Sequence, residues 1–145
     1  MSSSNEIFDN LIKKDEIEIN MMSPLEWAYV GDSVYELYTR TYLSNSTNLN
    51  PHNMHVKSIK YVKANAQYKI LQKLNLNDEE IDIVKRGRNT ENHHLPKHAT
   101  HEEYMYSTAF EALIGYLFLN KKYQRLEEIL KECVEIVDKE EQNAV

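Results

Sequence analysis

The sequence predicts an all-helical fold, and three observations carry that reading. Only three glycines and three prolines occur in 145 residues. Charged and apolar residues interleave at spacings of three and four, the period of helices with one buried face. Helix starts are written in capping chemistry. Ser23-Pro24-Leu25-Glu26 reads as a capping box with proline at the first helical position, and Asn77-Asp78-Glu79-Glu80 and Thr100-His101-Glu102-Glu103 repeat the cap-then-Glu arrangement.

Taken in order, these signals place about six helices, at roughly 5–19, 24–43, 51–74, 78–86, 101–119 and 122–139, with no strand. Asn50-Pro51 opens the third of them. Gly87 to Ala99 lacks apolar periodicity and is the longest irregular stretch, the kind of loop that often carries function in a compact domain. The polar ends, Met1 to Asn5 and Glu140 to Val145, are expected to be disordered. There is no internal repeat and no linker, so residues 1–145 are expected to form one domain with a core between about 20 and 139.

The hydrophobic content of 41% suffices for one real core, whereas two domains in this length would each be marginal. No apolar run approaches the roughly 18 residues of a membrane span, and Met1-Ser2-Ser3-Ser4-Asn5-Glu6 lacks the basic start of a leader, so no membrane partner is expected. The single cysteine, Cys133, cannot form an intramolecular disulfide or join a cysteine-based zinc site, which suits the cytoplasm. A net charge of −6 excludes polyanion binding driven by overall charge, so any nucleic-acid contact must come from a local basic patch.

Two acids stand out. Asp32 lies in Tyr29-Val30-Gly31-Asp32-Ser33-Val34-Tyr35-Glu36, a segment expected to be largely buried, and Glu111 is the only charge between Ser107 and Leu119. An uncompensated buried carboxylate costs several kcal/mol or becomes protonated, so each needs a cation. Ala28 lies one turn before Asp32 and Gly115 one turn after Glu111, which allows the two helices to approach closely and bring the carboxylates together. Oxygen ligands sharing a divalent ion point to magnesium, which keeps several waters for chemistry. The structural alternative is that each acid pairs with a buried Arg or Lys, or faces solvent, and spacing alone leaves both readings open.

Gly31-Asp32-Ser33-Val34-Tyr35-Glu36 resembles the Gly-Asp-(Ala/Ser)-Val-Leu-Glu signature of the ribonuclease III family, and Ala109-Phe110-Glu111-Ala112-Leu113-Ile114-Gly115 resembles its second motif. Lys85-Arg86-Gly87-Arg88-Asn89, the stretch Tyr104-Met105-Tyr106-Ser107-Thr108 before the second motif, and the lack of a double-stranded-RNA-binding domain resemble the Mini-III branch of that family. The similarity runs from Pro24 to Tyr123. It implies a ribonuclease III type endonuclease domain, a magnesium-dependent hydrolase of double-stranded RNA that works as a homodimer. It also implies staggered cuts with 5′-phosphate and 3′-hydroxyl ends, and large-subunit ribosomal RNA precursor as the substrate.

By the same resemblance, Asp32 and Glu111 match the family's magnesium-binding catalytic acids. Two further acids of the family are replaced by Ala28 and Thr108, so the number of ions stays open. Glu36 matches the last acid of the signature and is read as a supporting residue, and Glu26 as a helix cap. The replaced acids are also the best argument for the competing class, a noncatalytic RNA-binding or scaffold domain built on the same fold.

Between residues 85 and 101 the cations Lys85, Arg86, Arg88 and Lys97 face only Glu91, with His93, His94, His98 and His101 alongside. Such a run is either a solvated surface or, as the resemblance implies, the part that grips RNA, since Arg and Lys on an irregular loop suit phosphate contacts. His94, His98 and His101 have chelating spacings, but no cysteine or acid completes a zinc site and Pro96 breaks the helical face. Lys57, Lys60 and Lys63 read as a solvated face, with an auxiliary phosphate track as the alternative. Trp27, Tyr35 and Tyr38 are candidate dimer anchors or ordinary core.

Overall fold

The computed structural model describes residues 6–90 and 99–144. Among them are eight helices and no strand: α1 (Glu6–Leu11), α2 (Glu16–Met21), α3 (Pro24–Ser46), α4 (Pro51–Val62), α5 (Ala64–Lys73), α6 (Asp78–Asn89), α7 (His101–Leu119) and α8 (Tyr123–Asn143). All three capping boxes read from the sequence are present.

The differences from the expected six helices have local causes. The helix expected over 5–19 divides because Asp15 and Glu18 form a fourth capping box, in which the Asp15 carboxylate accepts the Glu18 N–H at 2.8 Å and the Glu18 carboxylate accepts the Asp15 N–H at 3.0 Å. The helix expected over 51–74 breaks at Lys63, whose ψ of 153° is extended. A break leaves carbonyls without helical partners, and the buried Tyr35 hydroxyl donates to one of them, the Tyr61 oxygen, at 2.9 Å. Helix α8 runs on through Glu140 to Asn143, where disorder was expected, because Lys73 pairs with Glu140 at 2.9 Å and Lys60 pairs with Glu141.

Helix α7 is the centre of the molecule. Every residue from Ser107 to Leu117 except Glu111 is buried, and a helix that is apolar on all sides must be enclosed on all sides. Helices α3, α5, α6 and α8 surround it. The closest approach is at glycines: a Cβ at Gly31 would lie 1.8 Å from the Glu111 carbonyl oxygen, and one at Gly115 would lie 1.8 Å from the Trp27 carbonyl oxygen. The close crossing inferred from small residues is therefore present, with Gly31 rather than Ala28 as the partner of Gly115. On either side of it Trp27 packs edge-on against Tyr116 at 5.1 Å and Tyr35 against Phe110 at 4.8 Å.

Candidate active site and its neighbours

The α3–α7 crossing sets the site. Helix α3 buries the stripe Trp27, Ala28, Gly31, Tyr35, Thr39 and Leu43, and Asp32, about 40° round the helix from Ala28, lies on that same side. Asp32 is nonetheless exposed, contrary to the expectation of burial, while Glu111 across the crossing is half-buried. Their carboxyl groups lie within hydrogen-bonding reach of each other.

Burial pushes the Glu111 carboxyl up from 4.5 to about 9; the Asp32 charge, the hydrogen bond to Asp32 and the charge of Glu36 add to the rise. A hydrogen bond from Gln67 Nε2 to Glu111 Oε2, at 3.4 Å, pulls the other way. Without a cation, that rise favours the protonated form of Glu111 at neutral pH, as like charges in a shared site require. No basic side chain among the described residues compensates it. Glu36 is turned toward Arg40, with an exposed ion pair of 2.7 Å.

Ala28 and Thr108 are both buried, and the Thr108 hydroxyl donates to the Tyr104 carbonyl at 3.1 Å. Among the described residues no group of three or more His, Cys, Asp or Glu is gathered for a metal ion. The donor set is the oxygen pair Asp32 and Glu111, the second of them a carboxyl that burial and its neighbour leave uncompensated. That chemistry fits magnesium, which accepts one or two carboxylates and fills its other positions with water and phosphate oxygens.

The basic block is divided by the fold. Gly87 to Asn89 are helical, not irregular, because Gly87 packs on α7, where an added Cβ would meet the Ala109 Cα at 2.8 Å. Arg86 lies 4.6 Å over the Trp27 ring and donates to the Asn20 carbonyl at 3.3 Å. Arg88 turns the other way, donating to the Asn89 side chain at 3.2 Å and to the Tyr106 hydroxyl at 3.5 Å. Lys85 is exposed. Lys97, Glu91, Pro96, His93, His94 and His98 lie outside the described residues. The lysine row is divided too, since Lys63 is the break itself and Lys60 is paired with Glu141.

Two of the three aromatic candidates for a dimer interface belong to the core. Trp27 is 0% exposed and donates from Nε1 to the Ile19 carbonyl at 2.9 Å, and Tyr35 is 1% exposed. Tyr38 is half-buried beside the exposed Tyr29 and Leu37 on an apolar groove of about 570 Å³. Two residues escaped sequence reasoning. Gln67 carries no local signal of its contact with Glu111, and Glu80, read as a cap, is also the buried partner of Arg125 at 2.8 and 2.9 Å.

Comparison with known proteins bears on this arrangement. Residues 25–122 match the ribonuclease III domain. Mini-ribonuclease 3 of Clostridium tetani is 40% identical over 129 residues, covering 87% of this chain and 85% of that protein. Mini-ribonuclease 3 of Staphylococcus aureus is 40% identical over 124 residues, covering 83% and 92%. A crystal structure of a Fusobacterium nucleatum protein superposes with a TM-score of 0.73 at 30% identity, covering 84% of this chain and 98% of that one. With the motifs around Asp32 and Glu111 inside the matched span and the all-helical fold shared, the chain belongs to the ribonuclease III family, in its Mini-III branch.

Proposed function

We propose that this ribonuclease III type endoribonuclease hydrolyses double-stranded RNA with magnesium held by Asp32 and Glu111. The observation that carries the reading is a half-buried glutamate beside an aspartate, with no basic partner among the described residues to compensate it. When bound, magnesium supplies Lewis-acid activation of water and neutralises charge developing on the scissile phosphate. The chain's own part is placement. Asp32, exposed on α3, reaches the RNA side, and Glu111, fixed on the enclosed helix α7, gives the pair a rigid base.

Affinity for a polyanion must be local in a protein of net charge −6, and Lys85, Arg86, Arg88 and Lys97 are its proposed RNA contacts. A homodimer is the proposed working unit. It is supported by the apolar groove where Tyr29 (83% exposed), Leu37 (60% exposed) and Tyr38 stand in place of the expected Trp27 and Tyr35. Precursor of large-subunit ribosomal RNA is the proposed substrate and the cytoplasm the proposed location.

The test is incubation with a long perfect RNA duplex and, separately, a single-stranded RNA, each in magnesium or in EDTA. Cutting of the duplex alone, and only with magnesium, supports the reading. Binding of duplex without cutting in any divalent metal would identify a noncatalytic domain instead. Sequencing ribosomal RNA ends in cells with and without the protein tests the substrate.

A further inference from the structure

The break between α4 and α5 has no glycine or proline to explain it, and its effect is to aim the first turn of α5 at α7. Two amides of that turn reach acids there: Asn65 donates to the Glu103 carboxylate, and Gln67 donates from Nε2 to Glu111 Oε2 at 3.4 Å. Gln67 is 2% exposed, so its amide is withdrawn from water for this contact. A buried polar side chain is costly unless it is hydrogen-bonded, and an apolar residue of the same volume would pack there without that cost.

We propose that Gln67 is a positioning residue for Glu111, holding Oε2 so that the carboxylate is presented beside Asp32 in the geometry that binds a divalent cation. This rests on the reading of Asp32 and Glu111 as the metal-holding pair. The residue type matters. A lysine or arginine at 67 would neutralise Glu111 internally, as Arg125 does Glu80, and leave nothing for a metal. A third carboxylate would raise the repulsion in the cation-free protein. A neutral amide donates to the ionised glutamate without competing for its charge, and groups that orient metal ligands in this way typically change metal affinity by 10–100-fold when removed.

The experiment compares wild type, Gln67→Leu, Gln67→Glu and Glu111→Gln in two assays. One is Mn²⁺ binding to the RNA-free protein by electron paramagnetic resonance, with melting curves in EDTA and in Mn²⁺. The other is the magnesium midpoint of duplex cleavage. Gln67→Leu should weaken Mn²⁺ binding and raise the magnesium midpoint by about tenfold, while the rate at saturating magnesium falls far less. Gln67→Glu should melt lower than wild type in EDTA and recover more than wild type when Mn²⁺ is added. This second variant carries the test if Gln67→Leu does not fold.

Mn²⁺ binding and a magnesium midpoint within about twofold of wild type in folded Gln67→Leu would overturn the role of Gln67. So would an Mn²⁺-induced melting shift in Gln67→Glu equal to that of wild type. If Glu111→Gln abolishes Mn²⁺ binding in the same series, the metal pair stands and the positioning role alone is lost. If Glu111→Gln binds Mn²⁺ as wild type does, the metal pair itself is wrong and the role of Gln67 falls with it.

Discussion

Glu80 and Glu111 are both withdrawn from water, and the protein treats them in opposite ways. Glu80, 1% exposed, accepts two hydrogen bonds from Arg125, at 2.8 and 2.9 Å, and one from the Asn77 N–H at 3.0 Å. Burial alone would raise its pKa, but the Arg125 guanidinium and the Asn77 N–H outweigh burial and hold it below 4.5. Glu111, pushed up to about 9 first by burial and then by the Asp32 beside it, receives only the Gln67 amide. The first charge is settled inside the chain and belongs to the architecture. The second is left for something from outside, and that difference marks a site more sharply than burial does.

The largest expected effect separates the two by activity. Glu111→Gln should reduce duplex cleavage by about a thousandfold or more, roughly 4 kcal/mol of transition-state stabilisation, while the fold persists because the amide keeps the volume. Glu80→Gln should cut at close to the wild-type rate per folded molecule. Single-turnover kinetics on one duplex measure both, and near-normal cleavage by Glu111→Gln would end the comparison. Asp32→Asn should behave like Glu111→Gln, and the double variant should be little worse than either, since ligands of one ion act as a unit.

Stability reverses the ranking. Arg125→Ala leaves the Glu80 carboxylate, 2% exposed as a side chain, without its cation. Removing one partner of a buried pair should cost about 3 kcal/mol here, at the lower end for such pairs because the Arg125 side chain is 31% exposed. The midpoint of urea unfolding reads that loss, and cleavage per folded molecule should not change. A loss of only a few tenths of a kcal/mol would mean that the caps alone keep Glu80 charged.

What was legible in the sequence follows the same division. The helical class, the three capping boxes and the close α3–α7 crossing were all written locally, in Ser23, Asn77, Thr100 and Gly115 and their neighbours. The anomaly of Glu111 was legible because α7 is apolar on every face, so a lone charge there stands out. Long-range partners were not. Spacing leaves open that an odd acid pairs with a basic side chain; a buried acid does so at Glu80, with the half-buried Arg125, where the cap signal already accounted for the glutamate. Asp32 was misjudged as buried because a place on the buried side of a helix does not say whether another element closes over it. The break at Lys63 is accompanied by a tertiary hydrogen bond from Tyr35 to the Tyr61 carbonyl, which leaves no mark on residues 51–74.

The two glutamates should also give the metal-free protein opposite responses to pH. Glu80 has a lowered pKa, so its contribution is present above the unfolded value near 4.5 and is lost as pH falls through its folded value. Glu111 has a raised pKa, so its contribution is complete below about 4.5 and is lost as pH rises toward about 9. One proton gives at most about 1.4 kcal/mol per pH unit, and the half-buried Glu111 should fall below that ceiling. Melting temperatures in EDTA between about pH 5 and pH 8 should therefore decline for wild type and flatten for Glu111→Gln. Glu80→Gln should keep the decline over that range and lose sensitivity only at more acid pH.

The smallest effect is the most direct reading of what Glu111 waits for. A cation that binds only the folded state adds RT ln(1 + [L]/Kd), about 1.4 kcal/mol at ten times its dissociation constant, which is about 4 °C for a chain of this size. Wild type and Glu80→Gln should both gain that shift when magnesium replaces EDTA, and Glu111→Gln and Asp32→Asn should not. The shift should also grow with pH. Below about 9 the Glu111 carboxyl holds a proton that the cation must displace, so each rise in pH lowers the cost of displacement. A magnesium shift of equal size in Glu111→Gln, or one that shrinks as pH rises from about 6 to 8, would place the ion elsewhere and make Glu111 a protonated core residue, no more a site than Glu80.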